Sequence, residues 1–391
     1  MLLRATLPVD ESRATLPVML TWADLAARTL ARQFPAELEP GDVAGLIDLV
    51  GPIQSQTARS VFIGSAARLP GVTRQQITDA YTSGAIVRGS TLRGTVHTST
   101  AALHPLLEVA TRLGQRTLWH RTLKLSDTTL EHVWAAIEAY AEHQWRTPAE
   151  LAAHLLEWLQ RNDPASAPRF AGTQGRYFAF GHGGLVRRPI RGDWTGQAAP
   201  EYRTAAAVLA DTAHRTAALN APDAAVAAMF RHQLAAAGPL SRHDLAWWSG
   251  LGLTRVDAAL ASLDLTTNEG PDGRVYHDLP DAPPPATLAG VHLLPEFDAL
   301  FCAFDPAGRA RFVDPEHYDV LWKQENGLLL APVLLDDRLR GHWRLTGTGP
   351  RRALHVTLFP GTRDLEDDDL TGPIVALELA LGITIHDVRL N

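Results

Sequence analysis

The chain has 391 residues, 46% of them hydrophobic and 20% charged, with a net charge of −7. That is the balance of a globular protein with room for roughly two to four domains, and its acidity argues against a nonspecific nucleic-acid coat without excluding a local basic groove. One cysteine, Cys302, rules out a disulfide framework or a CxxC zinc cluster, and in the apolar run "ALFCAF" it reads as a small core hydrophobe.

No stretch approaches the ~20 apolar residues of a membrane span. The N-terminal "MLLRATLPVDESR" lacks the apolar core of a signal peptide. We therefore expect a cytoplasmic protein. Only two lysines are present, Lys124 and Lys323, so almost all positive charge is arginine. Arginine favours planar, bidentate contacts to phosphate, although a GC-rich genome gives the same bias.

In chain order, residues 1–17 read as irregular. "TWADLAARTLARQF" (21–34) predicts a helix capped by Thr21, "EPGDVAGLIDLV" a second and "TARSVFIGSAARL" (57–69) a third. "TRQQITDAYTSG" (73–84) predicts a fourth, capped by Thr73 and stopped at Gly84. The alternating "AIVRGSTLRGTVHTST" then predicts one or two short strands. Helices followed by a hairpin outline a winged helix-turn-helix.

The outline recurs. Residues 126–160 predict two helices, the second opening at Thr147-Pro148-Ala149-Glu150 with a capping-box spacing. "RYFAFGHGGLVRRP" (176–189) predicts a Gly-turned hairpin. In "GPLSRHDLAWWSGLGLTRVDAALASL" (238–263), Ser241 and Asp244 cap one helix, "GLGL" turns and Thr254 caps the next. "LTTNEGPDGRVYHDL" closes the unit as a hairpin with a Pro-Asp-Gly turn. In this third unit Trp247 and Trp248 divide between core and exposed contact.

After a linker at "DAPPPA" (281–286), alternating segments predict strands from "GVHLLPEFDALFCAFDPAGRARFVD" onward, and "DLEDDDL" (364–370) caps a closing helix. The fold expected is α+β: three tandem winged helix-turn-helix units (18–125, 126–200 and 201–281) and a C-terminal antiparallel β-barrel-like domain (286–391).

No P-loop, HExxH or zinc-deaminase motif is present. "GHGG" at 181–184 is a lone glycine cluster, and the scattered histidines read as packing or surface residues. No metal or cofactor is expected. What remains odd is "GPIQSQTARS" (51–60), where Gln54 and Gln56 flank Ser55. Read from spacing alone, the pair is either a solvated helix end or a pair of amides with a chemical task.

"GPIQSQTARSV", followed by "IVRGSTLRGTVH", resembles the winged-helix DNA glycosylases of the AlkZ/YcaQ type. "GHGGLVRRP", "GPLSRHDLAWWSGL", "LLPEFDALFCAF…FVDPEHYDVLW" and "LLLAPVLLDDRLRGHWR" extend the resemblance over residues ~20 to ~360. It implies three winged helices around a DNA channel, with Gln54 and Gln56 as the catalytic pair. Ser55 departs from the aliphatic residue usual between them. Gln56 in place of aspartate is similar to the antibiotic self-resistance branch of the family.

The resemblance further implies a glycosylase acting on bulky N7-alkylguanine adducts or interstrand crosslinks. Such a base carries a positive charge and leaves readily, so oriented amide carbonyls suffice to place water and steady the sugar. With no lysine near the pair, a monofunctional enzyme that leaves an abasic site is expected. Contacts to double-stranded DNA are expected from Arg93, His97, Arg112, Arg116, Arg121, Arg187 and Arg188, and a monomer suits the reading. A non-catalytic winged-helix transcriptional regulator, or a protein that sequesters the free genotoxin, would carry the same helices without turnover.

Overall fold

The computed structural model describes residues 19–391 apart from 40, 172, 197 and 324–326; the expectation for residues 1–17 lies outside them. Thr21 opens α1 (Trp22–Gln33): its hydroxyl accepts the Asp24 N–H, and the Asp24 carboxylate accepts the Thr21 N–H. This is the reciprocal capping box. After α2 (Val43–Val50), β1 is only Ile53–Gln54. Then come α3 (Ser60–Arg68) and α4 (Arg74–Thr82), the latter capped by Thr73 as its sequence predicts. Gly84, at φ 77°, turns the chain into β2 (Ile86–Ser90) and β3 (Val96–Thr100), and α5 (His104–Leu123) follows.

The next elements are α6 (Leu130–Tyr140) and α7 (Pro148–Asn162), with the Thr147–Glu150 box in place. The hairpin expected over 176–189 does not form. Residues Thr173–Phe180 are α8, and only Leu185–Pro189 is a strand, β4. Short apolar runs such as "RYFAF" suit helix or strand alike, and here Phe178 and Ala179 pack with Trp119 and Phe170 in one core. The partners of β4 are instead β2 and β5 (Pro200–Thr204), giving a sheet of order β1-β3-β2-β4-β5.

Gly183 and Gly184 are explained by close approach. A Cβ at Gly183 would lie 2.8 Å from Glu108 Cα, and one at Gly184 would run into Glu138 Oε1. Buried His182 stacks beside Trp134.

α9 (Ala205–Val208), α10 (Thr212–Asn220) and α11 (Pro222–Ala237) lead to β6 (Leu240–Ser241) and α12 (Arg242–Ser249). Ser241 and Asp244 cap α12 reciprocally. α13 (Leu253–Ala261) begins one residue before Thr254, after Gly252, so Thr254 is inside the helix and not its cap. β7 (Thr266–Glu269) and β8 (Val275–Asp278) form the expected hairpin, with β6 on its other side. Trp248 is buried, whereas Trp247 keeps an exposed edge against Trp322.

In the C-terminal region only Val291–Leu293 of the first predicted strand segment is a strand, β9; Asp298 then caps a helical turn, α14 (Ala299–Cys302). α15 (Tyr318–Leu321) precedes a small pair, β10 (Trp322–Lys323) and β11 (Leu328–Leu329). The main sheet adds β12 (Ala331–Leu335), β13 (Arg338–Thr346), β14 (Arg351–Leu358) and β15 (Thr384–Leu390), in the order β15-β14-β13-β12-β9. It curls into an open half-barrel. The expected antiparallel pattern fails at one edge, where β14 and β15 are parallel. The connection between them is α16 (Asp367–Leu381), and a helical crossover returns the chain in the same direction.

Three large cores hold the molecule. One gathers α1, α5, α11, α12 and the turns around Phe301 and Phe312. A second sets α2, α3 and α4 against the C-terminal sheet and α16. The third joins α6, α7 and α8. Cys302 packs on the first, and burial pushes its thiol up to about 11, so it stays protonated and inert.

Candidate active site

β1 is the edge strand that presents the glutamines. It pairs with β3 so that Ile53 faces Thr98 and Gln54 faces His97. The Ser55 N–H donates to Val96 O at 2.7 Å, and its hydroxyl lies 2.9 Å from Thr98 Oγ1. The middle residue is therefore tied down into the sheet. Gln56 lies just past the strand, exposed, and its Oε1 accepts the Val96 N–H at 3.2 Å. Gln54 is 8% exposed, and its Oε1 accepts from Arg93 Nη2 at 3.3 Å. Both amides are thus oriented by one segment, residues 93–96.

That segment is itself fixed. Leu92 is buried in the first core, and Arg93 adopts a left-handed conformation at φ 57°, uncommon outside glycine and held here by its contacts. Its Nη1 donates to the carbonyls of Trp247 and Trp248 at the end of α12, where the helix dipole favours a cation. Burial lowers the Arg93 pKa, but a guanidinium stays charged. His97 is 3% exposed and shares a hydrogen bond between Nδ1 and Thr91 Oγ1. Burial, then the nearby Arg93 charge, push it down to about 3. It is a neutral packing residue behind Gln54 and offers a DNA strand no charge.

The expected arginines divide. Arg112 binds Glu108 and Glu138 together with Arg215, and Arg116 pairs with Glu131. Arg188 pairs with Glu201 at 2.6 Å and covers the Trp145 ring. Arg121 is exposed on α5. Arg187 comes to Gln56: the two line one cleft of about 130 Å³, with Arg88 and Arg188. The structure therefore gathers Gln54, Gln56, Arg93 and His97 on one strand edge, brings Arg187 and Arg188 to the cleft beside Gln56, and leaves Arg112 and Arg116 within acid pairs.

Two neighbours were not singled out from sequence. Arg59, three residues past Gln56, pairs with Glu296 at 2.7 Å, and Glu296 Oε2 is buried without a partner. Arg88, an arginine in the otherwise apolar start of β2, was the legible signal for the cleft. Among the described residues no cluster of His, Cys, Asp and Glu is placed to hold a metal ion, and no helix is long and apolar enough to cross a membrane.

A family model described as DNA glycosylase AlkZ-like matches residues 47–375. A solved structure, the Streptomyces sahachiroi DNA glycosylase AlkZ, aligns over 96% of this chain and 100% of its own at a TM-score of 0.79 and 17% identity. At that identity the likeness establishes the fold. No curated protein matches the chain.

Proposed function

The chain belongs to the AlkZ-like DNA glycosylase family and is a hydrolase of N-glycosyl bonds in DNA; we propose that it excises bulky N7-alkylguanine, alone or within an interstrand crosslink, using Gln54 and Gln56. The observation that carries this is the fixing of both amide carbonyls by residues 93–96 beside an arginine-lined cleft. Each carbonyl oxygen keeps a second lone pair for water or sugar. The histidine paired across from Gln54, His97, is buried and neutral.

Alkylation at N7 leaves the purine cationic. The C1′–N9 bond breaks with its electron pair going to the base, which departs neutral. Water adds to the oxocarbenium-like C1′ and loses its proton to solvent, leaving an abasic site. Gln56, the exposed member, positions the water. Gln54 carries the guanidinium of Arg93 on its oxygen, which weakens its attraction for a cationic sugar, so its part is to align the water and the loop. An amide is a poor base, so substrates that leave unaided are favoured. Lys124 lies at the far end of α5, and no Schiff-base step is invoked. The enzyme is monofunctional.

In this reading residues 18–125, 126–200 and 201–281 are three winged-helix units, residues 286–391 form the C-terminal domain, and one monomer handles a duplex in the cytoplasm. A crosslinked base cannot be fully extruded, which suits an open cleft over a deep pocket. The biological role is repair, or self-protection against an alkylating natural product.

Release of base from duplex DNA carrying one N7-alkylguanine tests the proposal. Alkali-labile sites should appear with the wild type and fall strongly with Gln56→Ala. DNA binding without base release, for simple and bulky adducts alike, would overturn it.

A further inference from the structure

The wall of the Gln56 cleft contains charge that hydrolysis does not use. β2 and β4 place Arg88 directly opposite Arg187, so both side chains leave the same face of the sheet. Opposed like charges weaken a sheet, and no carboxylate among the described residues relieves them. Arg88 is 5% exposed and donates only to neutral oxygens: Ala58 O, Tyr81 Oη and Trp194 O; its Nε has no partner. Arg187 meets the Tyr202 ring at 5.8 Å and no carboxylate among the described residues.

Of the other buried arginines, Arg32 meets Asp278, Arg68 meets Asp298, Arg215 meets Glu108 and Arg311 meets Asp244. Arg309 has no ion pair among the described residues either, but it stands alone and is enclosed by the rings of Trp247, Phe301 and Trp322. Asp193, on the loop that carries Trp194, is taken by Arg74 and Thr195, and Glu201 by Arg188. Two adjacent guanidinia are left without an anion among the described residues.

The pair also lines two spaces. One is the Gln56 cleft; the other is a cavity of about 530 Å³ lined too by Tyr81, Trp145, Trp194, Ile190 and Val208. Tyr81 and Trp194 stack on each other at 4.0 Å, nearly parallel, so a base would meet their edges or outer faces and Trp145 rather than enter between them. The volume suits a small planar ligand. Paired guanidinia match phosphate oxygens, and aromatic walls accept a base of any sequence.

We propose that Arg88 and Arg187 hold a DNA phosphate beside the lesion nucleotide, and that the aromatic cavity receives an unstacked base from the same strand. This nucleotide subsite rests on the reading of the Gln56 cleft as the place of hydrolysis and goes beyond it. Its energetic sense is direct: the charges that weaken the empty sheet become favourable when the phosphate enters. The subsite anchors the backbone next to the sugar and holds one neighbour out of the stack.

The test is equilibrium binding of a short duplex without a cleavable adduct, scanned with one neutral methylphosphonate at a time. One position should lower the wild-type salt slope by about one and have no further effect in Arg187→Met. An abasic spacer at the adjoining nucleotide should weaken wild-type binding roughly tenfold and leave Trp145→Ala unaffected. Should Arg187→Met fail to fold, Arg187→Lys keeps the charge but not the fork, and should still reduce the coupling. Uniform methylphosphonate effects in wild type and variant would overturn the phosphate site; an equal spacer penalty in wild type and Trp145→Ala would overturn the base site. Since no base is released, a failed hydrolysis assay would sink the glutamine mechanism separately.

Discussion

The Gln54 carbonyl accepts a hydrogen bond from Arg93 at 3.3 Å, and the same guanidinium holds the end of α12 through the carbonyls of Trp247 and Trp248. One side chain therefore links a candidate catalytic amide to a helix about 150 residues later in the chain. Arg93→Ala should lower base release by about tenfold to a hundredfold, because displacement of a reacting group by an ångström costs that much. Removing a cation near the developing sugar charge acts the other way, and loss of alignment is expected to dominate. Single-turnover rates at saturating enzyme check this; an unchanged or faster rate would show that Arg93 does not position Gln54.

The two glutamines should not be equal. Gln56→Ala is expected to lose about 10²–10³ in single-turnover rate, as removal of an aimed dipole commonly does. Gln54→Ala should lose less, because its oxygen already faces Arg93. Affinity for duplex DNA should stay close to wild type in both. A larger loss for Gln54→Ala would reverse the roles assigned here.

Local structure was legible at most helix starts, Thr254 excepted, where Gly252 takes the cap position and Thr254 lies inside α13. Thr21–Asp24, Thr73–Gln76, Thr147–Glu150 and Ser241–Asp244 all close the caps their spacing announces. The segment 176–189 was not, because "RYFAF" fits either period and packing with Trp119 makes it helical. The parallel edge of the last sheet depends on α16 crossing over, a long-range matter. At the site, the proximity of Gln54 to Arg93 followed motif order, but the fate of each arginine did not. Arg112 and Arg187 look alike in sequence; Glu108 and Glu138 claim the first, and the second lies between Arg88 and Tyr202 with no carboxylate partner among the described residues.

The pH dependence should separate chemistry from stability. Gln54 and Gln56 do not titrate, and His97 stays neutral well below neutrality. Base release should thus be nearly flat from about pH 5.5 to 8, provided the protein is folded. Stability should not be flat. His97 and His182 are each pushed down to about 3 by burial, so between that value and the ordinary 6.5 the unfolded chain binds more protons. Stability then rises with pH across that window, by up to about 1.4 kcal/mol per unit for each histidine. It is lost as pH falls from 6.5 toward 3. Urea midpoints at pH 4.5 and 7 check the sign, and His97→Gln should flatten part of the slope.

Glu108 has no exposed surface and serves Arg112 and Arg215, with Glu138 completing the cluster between α5, α6 and α10. Burial would lower the charge of these arginines, but the two carboxylates reverse the balance and raise both. Glu108→Gln keeps the shape and removes the charge, leaving two enclosed guanidinia with one partner. Breaking a buried ion pair from one side costs about 3–5 kcal/mol, so the urea midpoint should fall sharply. Arg112→Met should cost less, because Arg215 still neutralises Glu108, and it should leave the salt slope of DNA binding unchanged. A slope lowered by about one unit with the midpoint preserved would instead place Arg112 on the DNA backbone, and the acid cluster would be a resting arrangement that substrate displaces.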